Sequence, residues 1–275
     1  MLAFIERVSD VALRVSGARS VFATTDVGRV HAYEMRGRGD GRFVLLHGMG
    51  ATATSYLAVA RQLLPFARTI LLPELPGHGR SEKPTRLDRR TLTTGMMQAL
   101  DHWITEPSVF LGTSLGGATA LGVAIERPRM VKALVLASPA GAPLNDEELD
   151  ALRQRFDLRT RQDARRFFEH LLHRPPAFFR LLESGLCEQL GSDTVQGFLG
   201  SISDEDFLKA EDLRSIACPI HVIWGQSDRI LPRSSLAFLR ATLPPSAIFE
   251  EPAGVGHSPH LESPGVLART LVSLL

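Results

Sequence analysis

The chain has 275 residues, of which 44% are hydrophobic and 22% charged, and its formal net charge is +1. This near-neutral balance gives no reason to expect nucleic acid or an anionic membrane as a partner. The two cysteines, Cys187 and Cys218, exclude a disulfide framework and a cysteine metal site by their spacing, and suit a reducing compartment.

The first predicted element is an amphipathic helix over residues 1–17. Its apolar positions recur at helical spacing: Met1, Phe4, Ile5, Val8, Val11, Ala12 and Val15. We expect this face to pack onto the protein's own surface, with a peripheral membrane contact as the alternative. The segment lacks the features of a plain signal peptide, which predicts a cytoplasmic location, and no stretch is long enough to span a bilayer.

From residue 19 the sequence alternates β-rich runs with helical ones. The β-rich runs cover 20–25, 29–35, 42–48, 67–75, 108–114, 131–139, 220–228 and 247–253. Candidate helices cover 53–64, 91–104, 115–126, 234–242 and 262–275. The later β-rich runs are continuously apolar, as strands buried on both faces require. We therefore predict an α/β fold with a mostly parallel, doubly wound sheet of about eight strands, and an antiparallel hairpin at the "DVGR" turn.

The alternation stops between residues 141 and 213, where the pattern is helical and contains no strand-like run. This predicts an inserted all-helical cap, which divides the core into residues 1–140 and 214–275. The cap carries many large apolar side chains, including Phe167, Phe168, Phe178 and Phe179. We expect some of them to line the roof of a pocket.

The segment "SVFLGTSLGGATA" contains a G-x-S-x-G motif at residues 112–116. The motif lies between a predicted strand and a predicted helix, where a sharp turn would hold Ser114 in a strained conformation above the sheet. A serine hydroxyl needs a base to take its proton, and that base needs a third group to orient it. Ser114 is therefore a candidate nucleophile.

Asp228 and His257 are the candidates for those two partners, because each follows a predicted strand and they occur in the order Ser, Asp, His. The alternatives are His260 as the base, and Asp146 or Glu147 as the acid. Acyl transfer also needs donors for an oxyanion. We expect these to be the backbone N–H groups of Leu115 and of Met49, in the glycine-rich exit "HGMG".

With these residues in place, the chain resembles the α/β-hydrolase fold superfamily from about residue 19 onwards. The stretches "LLHGMG", "ELPGHGRSEKP", "GTSLGG", "WGQSDRILP" and "GHSPHLESP" are similar to five of its motifs in the family's order. The resemblance implies Ser114, Asp228 and His257 as a catalytic triad, a helical cap and no cofactor or metal. Glu74 departs from the Asp that the family more often carries in the second motif.

The resemblance is strongest to esterases and lipases of the monoacylglycerol-lipase-like branch. It implies a serine hydrolase that cleaves carboxylic esters of a hydrophobic small molecule or acyl substrate through an acyl-enzyme. A thioesterase or carbon–carbon bond hydrolase with the same triad is an alternative, although Thr113 replaces the Asn that tends to occur in the latter branch. A ligand receptor that keeps the fold is a further alternative.

Overall fold

The structure is a computed structural model that describes the backbone of residues 2–275 and the side chains of residues 7–275. Within this range, eight strands form one sheet in the order β1-β2-β4-β3-β5-β6-β7-β8. The strands are β1 (Arg19–Thr25), β2 (Gly28–Arg36), β3 (Gly41–Leu46), β4 (Ala67–Pro73), β5 (Ser108–Thr113), β6 (Val131–Ala137), β7 (Ile220–Ile223) and β8 (Ile248–Glu250). The pairs β1–β2 and β2–β4 are antiparallel and the other five are parallel. The predicted α/β sheet and its antiparallel leading edge are confirmed.

Helices cover both faces of this sheet. The core helices are α1 (Leu2–Val15), α2 (Leu57–Leu63), α3 (Arg89–Trp103), α4 (Leu115–Glu126), α10 (Arg233–Thr242), α11 (Pro259–Glu262) and α12 (Pro264–Ser273). Buried side chains of α3, α4 and α10 pack on one face, and those of α1, α2 and α12 on the other. Strand β5 is buried along its whole length between these layers, which explains its unbroken apolar sequence.

The helix predicted over 262–275 corresponds to α12 in the structure, and a short separate helix, α11, precedes it. Ser263 separates them with non-helical backbone angles (φ −142°, ψ 52°), and Pro264 begins the second helix. A proline has no backbone N–H to continue the preceding helix and is well suited to the first turn of a new one. The break matters because it leaves α11 as a short separate element beside His257.

Every regular element in the segment 141–213 is a helix, and the last one ends at Arg214. These are α5 (Asp146–Phe156), α6 (Arg161–Leu171), α7 (Glu183–Leu190), α8 (Asp193–Ser201) and α9 (Ala210–Arg214), with short 3₁₀ helices at Ala177–Leu182 and Asp204–Asp206. Side-chain capping boxes begin α5 at Asn145 and α6 at Thr160. Buried cap residues such as Phe156 and Phe198 join the apolar cluster of the α3 and α4 face. The division of the chain at 140/141 and 213/214 stays a prediction.

The N-terminal helix packs through a different face from the predicted one. Leu13 is fully buried, whereas Val8, Val11 and Val15 are 51%, 57% and 79% exposed. The Tyr33 hydroxyl also donates to the Asp10 carboxylate and ties the helix to β2. The expectation that the valine stripe packs onto the protein is therefore wrong for these three residues; Met1 and the side chains of Phe4 and Ile5 lie outside the described residues. No helix in the described part of the chain is long and apolar enough to cross a membrane.

Candidate active site

Ser114 occupies a strained turn between β5 and α4. Its backbone has φ 52° and ψ −119°, a region that non-glycine residues rarely adopt and that costs about 1–3 kcal/mol. The Ser114 N–H donates to the carbonyl of Ala137 at 3.1 Å, and its own carbonyl accepts from the N–H groups of Gly117, Ala118 and Ala140. These backbone hydrogen bonds hold the turn in place.

Close backbone approaches explain the glycines of the motif. A Cβ at Gly112 would lie 2.4 Å from the carbonyl oxygen of Gly116, and a Cβ at Gly116 would lie 2.0 Å from that of Leu46. Neither position has room for a side chain, so strand and helix meet at Ser114 only because both residues are glycine.

His257 and Asp228 form a buried hydrogen-bonded pair. His257 Nδ1 lies 2.8 Å from Asp228 Oδ2, and the two side chains are 4% and 0% exposed. The other carboxylate oxygen of Asp228 accepts from the N–H groups of Ile230 at 2.9 Å and Leu231 at 3.2 Å. A proton on Nδ1 that is donated to Asp228 leaves Nε2 of a neutral His257 free to accept another proton.

The three predicted residues follow β5, β7 and β8, whose carboxyl ends lie at the same edge of the sheet. Among the described residues, the structure links His257 to Asp228 by a hydrogen bond but gives the Ser114 hydroxyl no hydrogen-bond partner. Ser114 instead lines a cavity between the sheet edge and the cap. Hydrogen bonds between a nucleophile and its base are often loose in unliganded enzymes and tighten when substrate binds.

Met49 and Leu115 line the same cavity as Ser114. Within residues 2–275 neither N–H group donates to a protein acceptor, so both are available to a ligand oxygen. His47 fixes the loop before Met49: its Nε2 accepts from the Leu75 N–H at 3.1 Å and its Nδ1–H donates to the Gly48 carbonyl at 2.9 Å. Burial lowers the pKa of His47 and keeps the imidazole neutral for this bridging role.

The alternative acid and base positions lie elsewhere. Asp146 and Glu147 are exposed in the first turn of α5. His260 is buried in α11 with its ring 4.9 Å from that of Tyr56 and its Nδ1 3.5 Å from the Thr113 hydroxyl. Burial is the main cause that lowers the pKa of His260 to about 3. His260 is thus a neutral packing residue behind Ser114.

Sequence reasoning missed a group of hydrogen bonds that joins the cap to the loops of Asp228 and His257. We call residues 169–173 of the cap the anchor segment. Its backbone accepts from the His257 N–H through Leu171 (2.8 Å) and from the Arg229 N–H through His170 (3.3 Å). Glu262 accepts from the N–H groups of both His173 and Gly256, each at 2.7 Å. The match of "GHSPHLESP" to a family motif included Glu262, but only the fold shows what its carboxylate contacts.

Glu74, the departure from the family motif, has a structural explanation. Its carboxylate accepts from the Arg80 N–H at 2.6 Å and lies 2.9 Å from His31 Nδ1. A Cβ at Gly79 would lie 2.2 Å from the carboxyl carbon, so the longer side chain uses space that a glycine leaves empty. Burial raises the pKa of Glu74, but the hydrogen bonds from His31 and Arg80 outweigh it and lower the pKa overall.

Within the described residues, no group of three or more His, Cys, Asp or Glu side chains is arranged to hold a metal ion.

A mostly parallel sheet with a strained serine between its central strand and the next helix is the architecture of a large class of hydrolases. The chain belongs to the alpha/beta hydrolase family, whose model matches residues 43–270. It is therefore a hydrolase of a family that includes esterases and lipases.

Individual relatives agree with this assignment. The chain is 27% identical to a pimeloyl-[acyl-carrier protein] methyl ester esterase of Proteus mirabilis, over 87% of this chain and 94% of the relative. It is 24% identical to Lipase 1 of Psychrobacter immobilis, over 80% and 72% of the two chains. Among solved structures, a membrane phospholipase A superposes with a TM-score of 0.83 at 23% identity (99% and 90% coverage), and the carboxylesterase CesB of Bacillus subtilis with 0.79 at 18% (98% and 96%). At these identities the two structures establish the fold.

Proposed function

We propose that this protein is a serine esterase in which Ser114 is the nucleophile, His257 the general base and acid, and Asp228 the residue that orients His257. The observation that carries the proposal is the strained Ser114 at the cavity, at the same sheet edge as the buried His257–Asp228 pair. Two relatives with ester-cleaving names, an esterase and a lipase, support the ester as the bond that is cleaved.

In the first half-reaction, His257 Nε2 takes the proton of the Ser114 hydroxyl while Oγ forms a bond to the ester carbonyl carbon. The carbonyl electron pair moves onto oxygen, where the N–H groups of Leu115 and Met49 stabilise the charge. The tetrahedral intermediate then breaks its bond to the alcohol oxygen, which takes the proton from His257 and leaves.

Water completes the cycle. It gives a proton to His257 while its oxygen attacks the acyl-enzyme carbonyl. The second tetrahedral intermediate then expels Ser114 Oγ, which takes the proton back from His257. The products are a carboxylic acid and an alcohol, and no cofactor is consumed. The N-terminal dipole of α4 further stabilises the negative charge near Ser114.

The direct test is Ser114→Ala, assayed with p-nitrophenyl butyrate. We expect kcat to fall by about 10⁶-fold, as in other triad enzymes that lose their nucleophile. Ser273→Ala, at an exposed serine in the last helix, is the matched control and should keep wild-type kcat. Retention of activity by Ser114→Ala would overturn the proposal.

Two further measurements separate the esterase from its alternatives. A fluorophosphonate should label the wild-type protein once, on the peptide that contains Ser114, and abolish turnover. A single slow turnover followed by a stable acylated protein would instead indicate a receptor. Faster turnover of thioesters than of matched oxygen esters would indicate that the leaving group is a thiol. The proposed roles of the triad would stay the same.

A further inference from the structure

One face of α4 forms a continuous wall of the cavity that begins at Ser114. Each residue on this face lies three or four positions from another one, which is the spacing of neighbours along one side of a helix. They are Leu115, Ala118, Thr119, Gly122 and Glu126. The cavity therefore runs along the helix from the candidate nucleophile towards the helix C-terminus, and we call this part the α4 channel.

Small side chains keep the floor of the channel open. Gly122 lies midway along it, and apart from the helix's own backbone a Cβ at this position would meet one atom of the described residues within 4 Å, Met97 Cε at 3.7 Å. This differs from Gly112 and Gly116, where backbone leaves no room. Glycine weakens the middle of a helix relative to alanine, and here no contact with the backbone of another element requires it.

The cap supplies the roof of the channel through residues 205–208. The Leu208 N–H donates to the Gly141 carbonyl at 2.7 Å, and the Arg89 guanidinium donates to the Glu205 carbonyl at 3.2 Å. These two hydrogen bonds attach the roof on either side of α4, to the exit of β6 and to the start of α3. Apolar side chains, including Leu92, Phe207 and Leu208, line the space that is enclosed.

The length of the channel follows from helix geometry. Leu115 and Glu126 are eleven residues apart, which corresponds to about 16 Å at a rise of 1.5 Å per residue. An extended chain advances about 1.2 Å per bond, so the channel accommodates about a dozen carbons. Glu126 is exposed, so the far end of the channel opens to solvent.

The position of His257 decides which part of an ester enters the channel. In the described structure, none of residues 255–262 lines the cavity, and His260 of this loop packs on Tyr56, on the opposite face of the sheet from α4. The leaving alcohol must take its proton from His257. The alcohol therefore leaves on the histidine side of Ser114, and the acyl chain extends on the other side, along α4.

We propose that the α4 channel is an acyl-binding subsite, so that the substrates are esters of linear fatty acids of medium length, with about eight to twelve carbons. This rests on the proposed function of Ser114. Each buried methylene improves kcat/KM by up to about fourfold. The gain stops at about twelve carbons, because longer chains project into solvent beyond Glu126.

The test is a series of p-nitrophenyl esters from butyrate to palmitate, assayed below their aggregation concentrations. The wild-type kcat/KM should rise from four to about twelve carbons and then level off. Gly122→Leu places a side chain about 10 Å along the channel, seven residues beyond Leu115, and should lower the ratio of dodecanoate to butyrate kcat/KM. Dodecanoate should lose at least tenfold, because its outer carbons have no space.

Gly200→Leu is the matched control, since Gly200 is an exposed helical glycine outside the channel. Apart from its own helix backbone, no described residue has an atom within 4 Å of its Cβ position. It should keep the wild-type chain-length profile. If Gly122→Leu fails to fold, Thr93→Leu on the facing wall of α3 provides a second block of the same channel.

A wild-type profile that is flat with acyl length would overturn the acyl subsite, as would an unchanged dodecanoate-to-butyrate ratio in the folded channel variants. A series of acetate esters with longer alcohols is the third arm. If the channel variants lose chain-length selectivity only among these acetate esters, the channel binds the alcohol. This result would also overturn the proposal. These failures differ from a failure of the proposed function, which would appear as undiminished butyrate hydrolysis by Ser114→Ala.

Discussion

The two sides of the cap contact the core by different kinds of interaction. On the side of Asp228 and His257, the anchor segment 169–173 makes backbone and carboxylate hydrogen bonds to both loops. On the side of the α4 channel, residues 198–208 of the cap contribute mostly apolar side chains, such as Phe198, Leu199 and Ile202.

This difference separates two properties of the enzyme. Hydrogen bonds are directional and fix the positions of groups that exchange protons, whereas apolar contacts are non-directional and tolerate ligands of different length. Changes on the anchor side should therefore lower kcat for every ester. Changes on the channel side should alter the preference among esters.

The largest effect that would test this comparison is expected for Asp228→Asn. The amide cannot accept the Nδ1 proton of His257 in the same way, so the base adopts the wrong tautomer, and kcat should fall by about 10⁴-fold. The ratio of dodecanoate to butyrate rates should stay at its wild-type value. A changed ratio would show that the two sides are not separable.

Glu262→Gln should lower kcat by about tenfold with little change in KM. The isosteric amide keeps one acceptor oxygen, but its NH₂ group faces either the Gly256 or the His173 N–H, which costs about 1–3 kcal/mol at this partly buried site. We expect the loop of His257 to loosen. We therefore expect Glu262 to act as a positioning residue, through Gly256 on the neighbouring His257.

The measurement is kcat per fluorophosphonate-reactive site, together with the pH profile of kcat. Glu211→Gln, at an exposed glutamate, is the matched control. If Glu262→Gln lowers only the melting temperature and keeps the wild-type kcat and pH profile per active site, the anchor is purely structural.

A smaller effect, on stability, is expected from His260 when the pH falls. Burial lowers the pKa of His260 to about 3 in the folded protein, whereas an unfolded chain has a histidine pKa of about 6.5. Between these values the unfolded state binds the additional proton, so stability present above pH 6.5 is lost as the pH falls. The loss at pH 5.5 is up to about 1.4 kcal/mol for this one group.

Urea unfolding of the wild type at pH 7.5 and 5.5 measures this loss. His260→Gln should reduce the difference between the two pH values, while His102→Gln, at an exposed histidine, should leave it unchanged. His78, whose pKa burial lowers to about 4, should account for part of the remaining slope. If the free energy of unfolding changes equally between pH 7.5 and 5.5 in wild type and in His260→Gln, the assignment of His260 as a buried neutral group is contradicted.

The smallest effect is expected on the channel side, from Ile202→Ala. Removing this part of the half-buried lining should lower kcat/KM for dodecanoate by about threefold through lost apolar contact. Butyrate, with its much shorter acyl chain, should lose less kcat/KM than dodecanoate. A similar loss of kcat/KM for both esters would show that Ile202 affects every ester, as we expect only of residues on the anchor side.

Much of the fold could be read from local sequence because the signals are local. The continuous apolar run of β5 requires burial on both faces, and the glycines at 112 and 116 are required by close backbone approach. The prediction was wrong where a local pattern had two solutions. The stripe of Val8, Val11 and Val15 has helical spacing, but the helix packs through Leu13 instead.

The candidate site also combines features that local sequence predicts with contacts that only the fold shows. The sequence by itself determined the sheet, the serine turn and the positions of Asp228 and His257, because each depends on residue type next to a strand end. Only the tertiary structure decided which contacts hold them: the bridge from Glu262 to His173 joins residues 89 positions apart. The α4 channel likewise exists because residues 205–208 lie over a helix that is distant in sequence. Contacts of this kind depend on how the chain folds back on itself, and no local pattern encodes them.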